Sequence, residues 1–328
     1  MSIVSRCRYA VLACLLAQLP VAQSQSAAVP STYPSEPVRM IVGWPAGGAS
    51  DTVARVIANA MGESLGQQIV VDNRPGASSN IGSELAARAK PDGYTIMLAT
   101  GGSHGVNSAL YRKLNFDPIK DFAPIGMIST SSSILVVPAN SPYQTLGQLL
   151  AKARAQPRQL NYGTAGNGSS GHMATTMLQQ RAGIEVTHIP YKGGAPAMTD
   201  LMGGQLDFML DSGVIPLVKS GKLRALAIAA PHRLAALSNV PTFAEAGVAS
   251  METNWWTGLV APAGTPRPVL ERLHNALDVA LSSPDVQRRL LEFGAVADRR
   301  GLDDFWSYVQ QQMPEVAAMV KATGAQLD

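Results

Sequence analysis

The chain has 328 residues, 46% apolar and 15% charged, which excludes a disordered or fibrous protein and leaves room for two domains with cores. The formal net charge is +3; setting Arg6 and Arg8 aside leaves 24 basic residues against 23 acidic ones, a balance that argues against a nucleic-acid partner. The only cysteines are Cys7 and Cys14, so the chain beyond them has no disulfide and no Cys-based metal site.

Arg6 and Arg8 begin a segment whose apolar part, 9–22, is too short for a comfortable membrane span. Small residues between Ala22 and Ala28 suit cleavage, so 1–26 is expected to be an export signal that places the mature protein in the periplasm. An alternative is a lipoprotein box at Val11-Leu12-Ala13-Cys14, with only 9–13 as its apolar lead. Strand and helix patterns then alternate: strand 38–43, helix 50–65 ended by Gly66, strand 69–71, helix 80–90 stopped by Pro91-Asp92-Gly93, and strand 94–99. This βαβαβ order predicts a parallel sheet with helices on its faces. Strand-like runs at 123–129 and 134–138 flank a Ser/Thr stretch. A second series follows: strand 160–164, helix 171–182, strand 186–189, helix 196–202, and strands 208–210 and 225–229. After strand 256–260 come helices at 269–281, 285–293 and 303–322. The closing helices imply a return to the first half. The expectation is two α/β lobes, 33–130 plus 257–328 and 131–256, joined by two crossing strands near Thr130 and Trp256 that serve as a hinge.

Two Gly-rich loops, each carrying a strand into a helix, are the strongest chemical signal. They are Gly43-Trp44-Pro45-Ala46-Gly47-Gly48-Ala49-Ser50-Asp51 and Gly163-Thr164-Ala165-Gly166-Asn167-Gly168-Ser169-Ser170-Gly171-His172. Both stand at the carboxyl end of a strand, where open α/β sheets bind ligands, and both offer free helix N-terminal amides in a positive dipole field. Facing each other, they suit a ligand with carboxylates; taken singly, either also reads as plain turn geometry.

Other patterns carry competing readings. Gly166-x-Gly168-x-x-Gly171 fits a dinucleotide fingerprint, but Tyr191 and Lys192 stand where an acidic ribose partner belongs. Gly101-Gly102-Ser103-His104-Gly105 follows a strand as a nucleophile elbow does, with Asp211 and His232 later in the chain; the alternative makes Thr100 and Ser103 loop hydroxyls facing a ligand. Asp51 either caps its helix or pairs with a ligand ammonium. Arg74 and Lys192 either neutralise a carboxylate or are solvated charges, and His172 is a further donor. The histidines lack metal-ligand spacing, and no cofactor is expected. Trp255-Trp256 reads as core and hinge packing. The expected ligand-binding set is Trp44, Pro45, Ala46, Gly47, Gly48, Ser50, Asp51, Thr100, Ser103, Thr164, Gly166, Asn167, Gly168, Ser169, His172, Tyr191, Lys192, Gly193 and Asp211.

Longer phrases carry a family resemblance. They include Pro37-Val38-Arg39-Met40-Ile41-Val42, Pro45-Ala46-Gly47-Gly48-Ala49-Ser50-Asp51, Val71-Asp72-Asn73-Arg74-Pro75-Gly76-Ala77, Pro190-Tyr191-Lys192-Gly193 and Ala261-Pro262-Ala263-Gly264-Thr265-Pro266. From Tyr33 almost to its end, the chain resembles the Bug family, the periplasmic receptors of tripartite tricarboxylate transporters. The resemblance implies a type II periplasmic-binding-protein fold, a Venus flytrap that hands its ligand to a permease of one large and one small membrane subunit. It also implies that the loops beginning at Gly43 and Gly163 hold a ligand carboxylate. Ser78-Ser79, where relatives commonly carry glycines, and the run Ser129 to Ser133 depart from the pattern. The expectation is a non-catalytic, monomeric receptor for a di- or tricarboxylate, an aromatic acid or an acidic amino acid. Alternatives are a serine esterase centred on Ser103 and a sensor that engages a membrane signalling partner.

Overall fold

Strands and helices alternate along the chain in a computed structural model that describes residues 33–323 and 326–327. The expected export signal and the Cys14 alternative lie outside the described residues. β1 (Val38–Val42), α1 (Ala49–Leu65), β2 (Ile69–Asn73), α2 (Asn80–Ala87) and β3 (Thr95–Thr100) form the expected βαβαβ series, with β1 parallel to both β2 and β3. A π-helical turn, Gly101–Val106, runs on into α3 (Asn107–Leu110). α2 stops earlier than its periodicity suggests, because Pro91 disfavours helical backbone at Lys90 and the Ala89 amide tightens onto Ala86.

The first sheet is mixed rather than parallel. β4 (Phe122–Ser131), β10 (Trp255–Pro262) and β11 (Ala295–Ala297) join it in the order β11-β4-β10-β3-β1-β2, with β10 antiparallel to both β3 and β4. β4 carries the chain out of this sheet and β10 brings it back, pairing along their lengths from Phe122–Pro262 to Ser131–Trp255. The serine run serves this crossing. Ser132 Oγ donates to the Thr253 carbonyl at 3.2 Å, the Ser133 amide donates to Thr253 Oγ1 at 2.9 Å, and the Trp255 indole donates to Ser133 Oγ at 2.8 Å.

Between the crossings lie β5 (Ile134–Pro138), α4 (Leu146–Ala155), β6 (Asn161–Thr164), α5 (Ser170–Ala182), β7 (Thr187–Pro190), α6 (Gly194–Met202), β8 (Met209–Asp211), α7 (Ile215–Lys219) and β9 (Leu223–Ile228). β5 pairs antiparallel with β8 and β9, and β6 pairs parallel with β7. The uninterrupted apolar run of β5 is explained by burial on both faces. Leu135 and Val137 pack among residues of α4 and α5, while Ile134 and Val136 pack among those of α6 and α7. α8 (Arg267–Ser282), α9 (Pro284–Glu292) and α10 (Leu302–Thr323) close the chain, and Phe305 of α10 sits fully buried against Trp256. Among the described residues no helix is long and apolar enough to cross a membrane.

The departure at Ser78-Ser79 has a structural price. Ala77, Ser78 and Ser79 hold φ of 44°, 55° and 79°, a left-handed run that side chains disfavour. Replacing Ala77 by glycine removes one Cβ from this run and should raise stability by about 0.5–1 kcal/mol. Urea unfolding monitored by circular dichroism checks this; an unchanged or lower midpoint would count against strain here.

Candidate functional site

Four helical N-termini converge on one cavity. α1 starts after β1, the π-helical turn after β3, α5 after β6 and α6 after β7, so each stands at the carboxyl end of a parallel strand. Residues of all four line a cavity of about 120 Å³: Ala49 and Ser50, Gly101 and Gly102, Ser169 and Ser170, and Gly194 and Ala195. The first amides of a helix have no partner within it, so what each end offers depends on which of them its own loop takes up. At α1 the cap residue Gly48 is extended (φ −83°, ψ 172°) and caps nothing with a side chain; the Gly47 amide goes to Asp51 Oδ2 at 2.9 Å. At the turn, Thr100 Oγ1 takes the Ser103 amide at 3.1 Å, and Ser103 Oγ takes the Thr100 amide at 3.0 Å. At α5, Ser169 Oγ takes the His172 amide, and His172 Nδ1 takes the Gly168 amide at 3.1 Å. Among the described residues, the amides of Ala49, Ser50, Gly101, Gly102, Ser170, Gly194 and Ala195 have no acceptor.

The cavity's side chains supply walls rather than cations. Trp44, Trp255, Trp256 and Phe293 give apolar surface, and Ser129, Ser131 and Thr257 of the crossing strands add hydroxyls. Among the described residues, Asp211 is the only charged side chain on its lining, with no arginine, lysine or histidine. The field inside therefore comes from aligned peptide dipoles, set against one carboxylate.

Some of the sequence-expected residues sit on this cavity. Trp44, Pro45, Gly48, Ser50, Thr100, Ser169 and Asp211 line it. Gly166, Asn167, Tyr191, Lys192 and Gly193 line an adjoining space of about 560 Å³ that shares Trp44, Pro45 and Ala165 with it. Gly47 lines a third, neighbouring space. The two sides meet here: Ser78 Oγ donates to the Asn167 carbonyl, and a Cβ on Gly193 would fall 2.6 Å from Pro45 Cγ, so only glycine lets these segments touch.

Others stand behind the wall. Asp51 is not a spare counter-ion: Gly47, Arg55 and Asn73 all donate to it at 2.9–3.0 Å. Burial works to raise its carboxyl, but those bonds outweigh burial and hold it below the ordinary value. Ser103 is fully buried, with its hydroxyl bonded to Thr100 and to His104 Nδ1 at 2.9 Å. Among the described residues His104 Nε2 has no hydrogen-bond partner, so none of their carboxylates completes a triad. Thr164 bonds His188 at 2.7 Å, and His172 stacks on His188 with centroids 4.4 Å apart. Ala46, Gly168 and these two residues shape the loops without lining the cavity. Arg74 is paired with Asp72 at 3.0 Å. Sequence reading missed Gly101, Gly102, Gly194, Ala195, Trp255, Trp256 and Phe293. The available signal was the Trp255-Trp256 pair on β10, which lies between β4 and β3 and brings both tryptophans to the cavity lining.

The three inner histidines make stability depend on acid. Burial lowers His104 to about 3, burial and then the neighbouring His172 lower His188 to about 4, and burial lowers His172. Below the ordinary value of 6.5 the unfolded chain binds protons that the folded chain refuses. Their contribution is complete above that pH and drains away as pH falls toward 4 and then 3. For His104 alone, lowering pH from 7 to 5 should cost about 2 kcal/mol. Urea melts at the two pH values check this, and equal stability would contradict it.

Comparison with known proteins places this geometry. Residues 53–325 match the family described as "Tripartite tricarboxylate transporter family receptor". The solved periplasmic binding protein BugD is 34% identical, with a TM-score of 0.86 over 90% of this chain and 99% of that one. An R. palustris protein solved with adipate is 35% identical, with a TM-score of 0.87 over 90% and 100%. MatC from Rhodopseudomonas palustris, with bound malate, is 33% identical, with a TM-score of 0.83 over 88% and 100%. These neighbours share the two-lobe α/β fold.

Proposed function

Because this chain belongs to the tripartite tricarboxylate transporter receptor family, made of periplasmic solute-binding proteins and not enzymes, we propose that it binds one small carboxylate among its four helical N-termini. The carrying observation is the set of acceptor-free amides around a cavity that, among the described residues, no cationic side chain lines. Such amides bind an anion through fixed dipoles, need no protonation event, and read the carboxylate rather than what it is attached to. The size agrees. A dry cavity of about 150 Å³ takes benzene, so about 120 Å³ suits an acid of similar bulk. Adipate and malate, the ligands of two structural neighbours, are carboxylates of this class.

In this reading the lobes are 33–130 plus 257–328 and 131–256, and the crossing near Ser131 and Trp255 is the hinge. Residues 1–26 export the chain to the periplasm, where the loaded monomer delivers its ligand to a two-subunit permease. A thermal-shift screen of aliphatic and aromatic carboxylates against their amides tests the ligand class. A ligand at a hundredfold its Kd should add about 2.7 kcal/mol of apparent stability. Amides that match the acids, or acids without effect, would overturn the proposal.

A further inference from the structure

Resting on the carboxylate reading, we propose that Asp211 makes this receptor select acids that also carry a hydrogen-bond donor, an ammonium or a hydroxyl, over the bare acids. Among the described residues, Asp211 is the one charged side chain on the cavity. It ends β8 and is only half satisfied: Oδ1 accepts the Gly213 amide at 2.7 Å, while Oδ2 has no hydrogen bond or ion pair among the described residues. Oδ2 faces the start of α6, 3.8 Å from where a Cβ on Gly194 would stand, next to the amides that offer the ligand carboxylate its bonds.

Asp51 makes the contrast. It too lies beside a helix N-terminus, but Arg55, Asn73 and Gly47 saturate it. A carboxylate held inside a protein without a counter-ion is unfavourable, and a second anion brought beside it is more so. A donor on the ligand resolves both problems, because it completes Asp211 and separates the two negative charges. Burial raises the Asp211 carboxyl above its ordinary range, opposed by the Gly213 bond, as expected of a carboxylate short of a partner. Asp211 is half-buried and lines both this cavity and the neighbouring space that reaches Gly47.

The test is calorimetric titration of the wild-type protein and of Asp211→Asn with matched sets: succinate, malate and aspartate; adipate and 2-aminoadipate; phenylacetate, mandelate and phenylglycine. In at least one set the donor-bearing acids should bind the wild type about tenfold or more tightly than the bare acid. In Asp211→Asn that ratio should fall to about threefold or less, with the bare acid gaining affinity. Bare acids that match or exceed their partners in the wild type, or a preference that survives in Asp211→Asn, overturn the inference and leave carboxylate binding intact. If no acid in any set binds the wild type, the carboxylate reading itself fails. Should Asp211→Asn not fold, the wild-type ranking alone decides.

Discussion

Ala49→Pro should weaken carboxylate binding about 10–100-fold, the worth of one hydrogen bond to a charged group, while the melting temperature of the unliganded protein stays put. Proline is well suited to isolating one amide here. Ala49 is the first residue of α1, where a missing N–H breaks no helical bond and the fixed φ matches the helix. The preceding residue must be extended, and Gly48 already is, at φ −83° and ψ 172°. Ser170→Pro is the matching change across the cavity, because Ser169 sits at φ −66° and ψ 160° ahead of α5. Each variant deletes one acceptor-free amide from one side, and the two losses should roughly multiply if both sides grip the same ligand. Calorimetric titration with the best acid from the screen reads the affinities. Unchanged affinity in both variants would mean that the N-terminal amides do not hold the ligand.

Gly171→Ala should cost about 1–3 kcal/mol of stability and lower the melting temperature by several degrees. A Cβ on Gly171 would stand 2.5 Å from the Leu210 carbonyl oxygen, a backbone atom of β8 that cannot step aside alone. The strain falls where α5 meets the strand that ends in Asp211, so α5 must shift and binding should weaken as well. Gly147→Ala is the control with the opposite sign. Gly147 is exposed in the first turn of α4, and its nearest contact would be Thr145 Oγ1 at 3.9 Å. There alanine relieves the backbone entropy cost of glycine and should add about 0.5–1 kcal/mol. Differential scanning calorimetry of both variants separates a specific clash from a general penalty for losing glycine. Equal, small effects would remove the argument for close packing at Gly171.

The long periodic elements were legible in the chain itself. α1, α5 and α8 declare their apolar faces at helical spacing, and Gly66 and Gly183 end two of them in left-handed backbone. α4, absent from the elements expected above, is equally legible from Thr145 as its cap and Leu146, Leu149, Leu150 and Ala153 as its buried face. α7 and β11 span five and three residues, too few for any period to show. The strand-loop-helix order likewise placed both Gly-rich loops at the carboxyl ends of strands, because that connection follows from strand twist and chain direction alone.

What local pattern could not decide is which atoms those loops have left to give. Asp51, Ser103 and His172 are the chemically eloquent residues of their motifs, yet each is turned inward and consumed by its own loop. Gly101, Gly194 and Ala195, silent as letters, keep their amides for the cavity, and Trp255 and Trp256 reach it only because β10 threads between β3 and β4. Hydrogen-bond satisfaction and sheet order are properties of residues far apart in the chain. The sequence by itself determined the elements, their order and the kind of group that would line the site; the tertiary structure alone decided that Asp211, and not Asp51, is the carboxylate with an unclaimed oxygen.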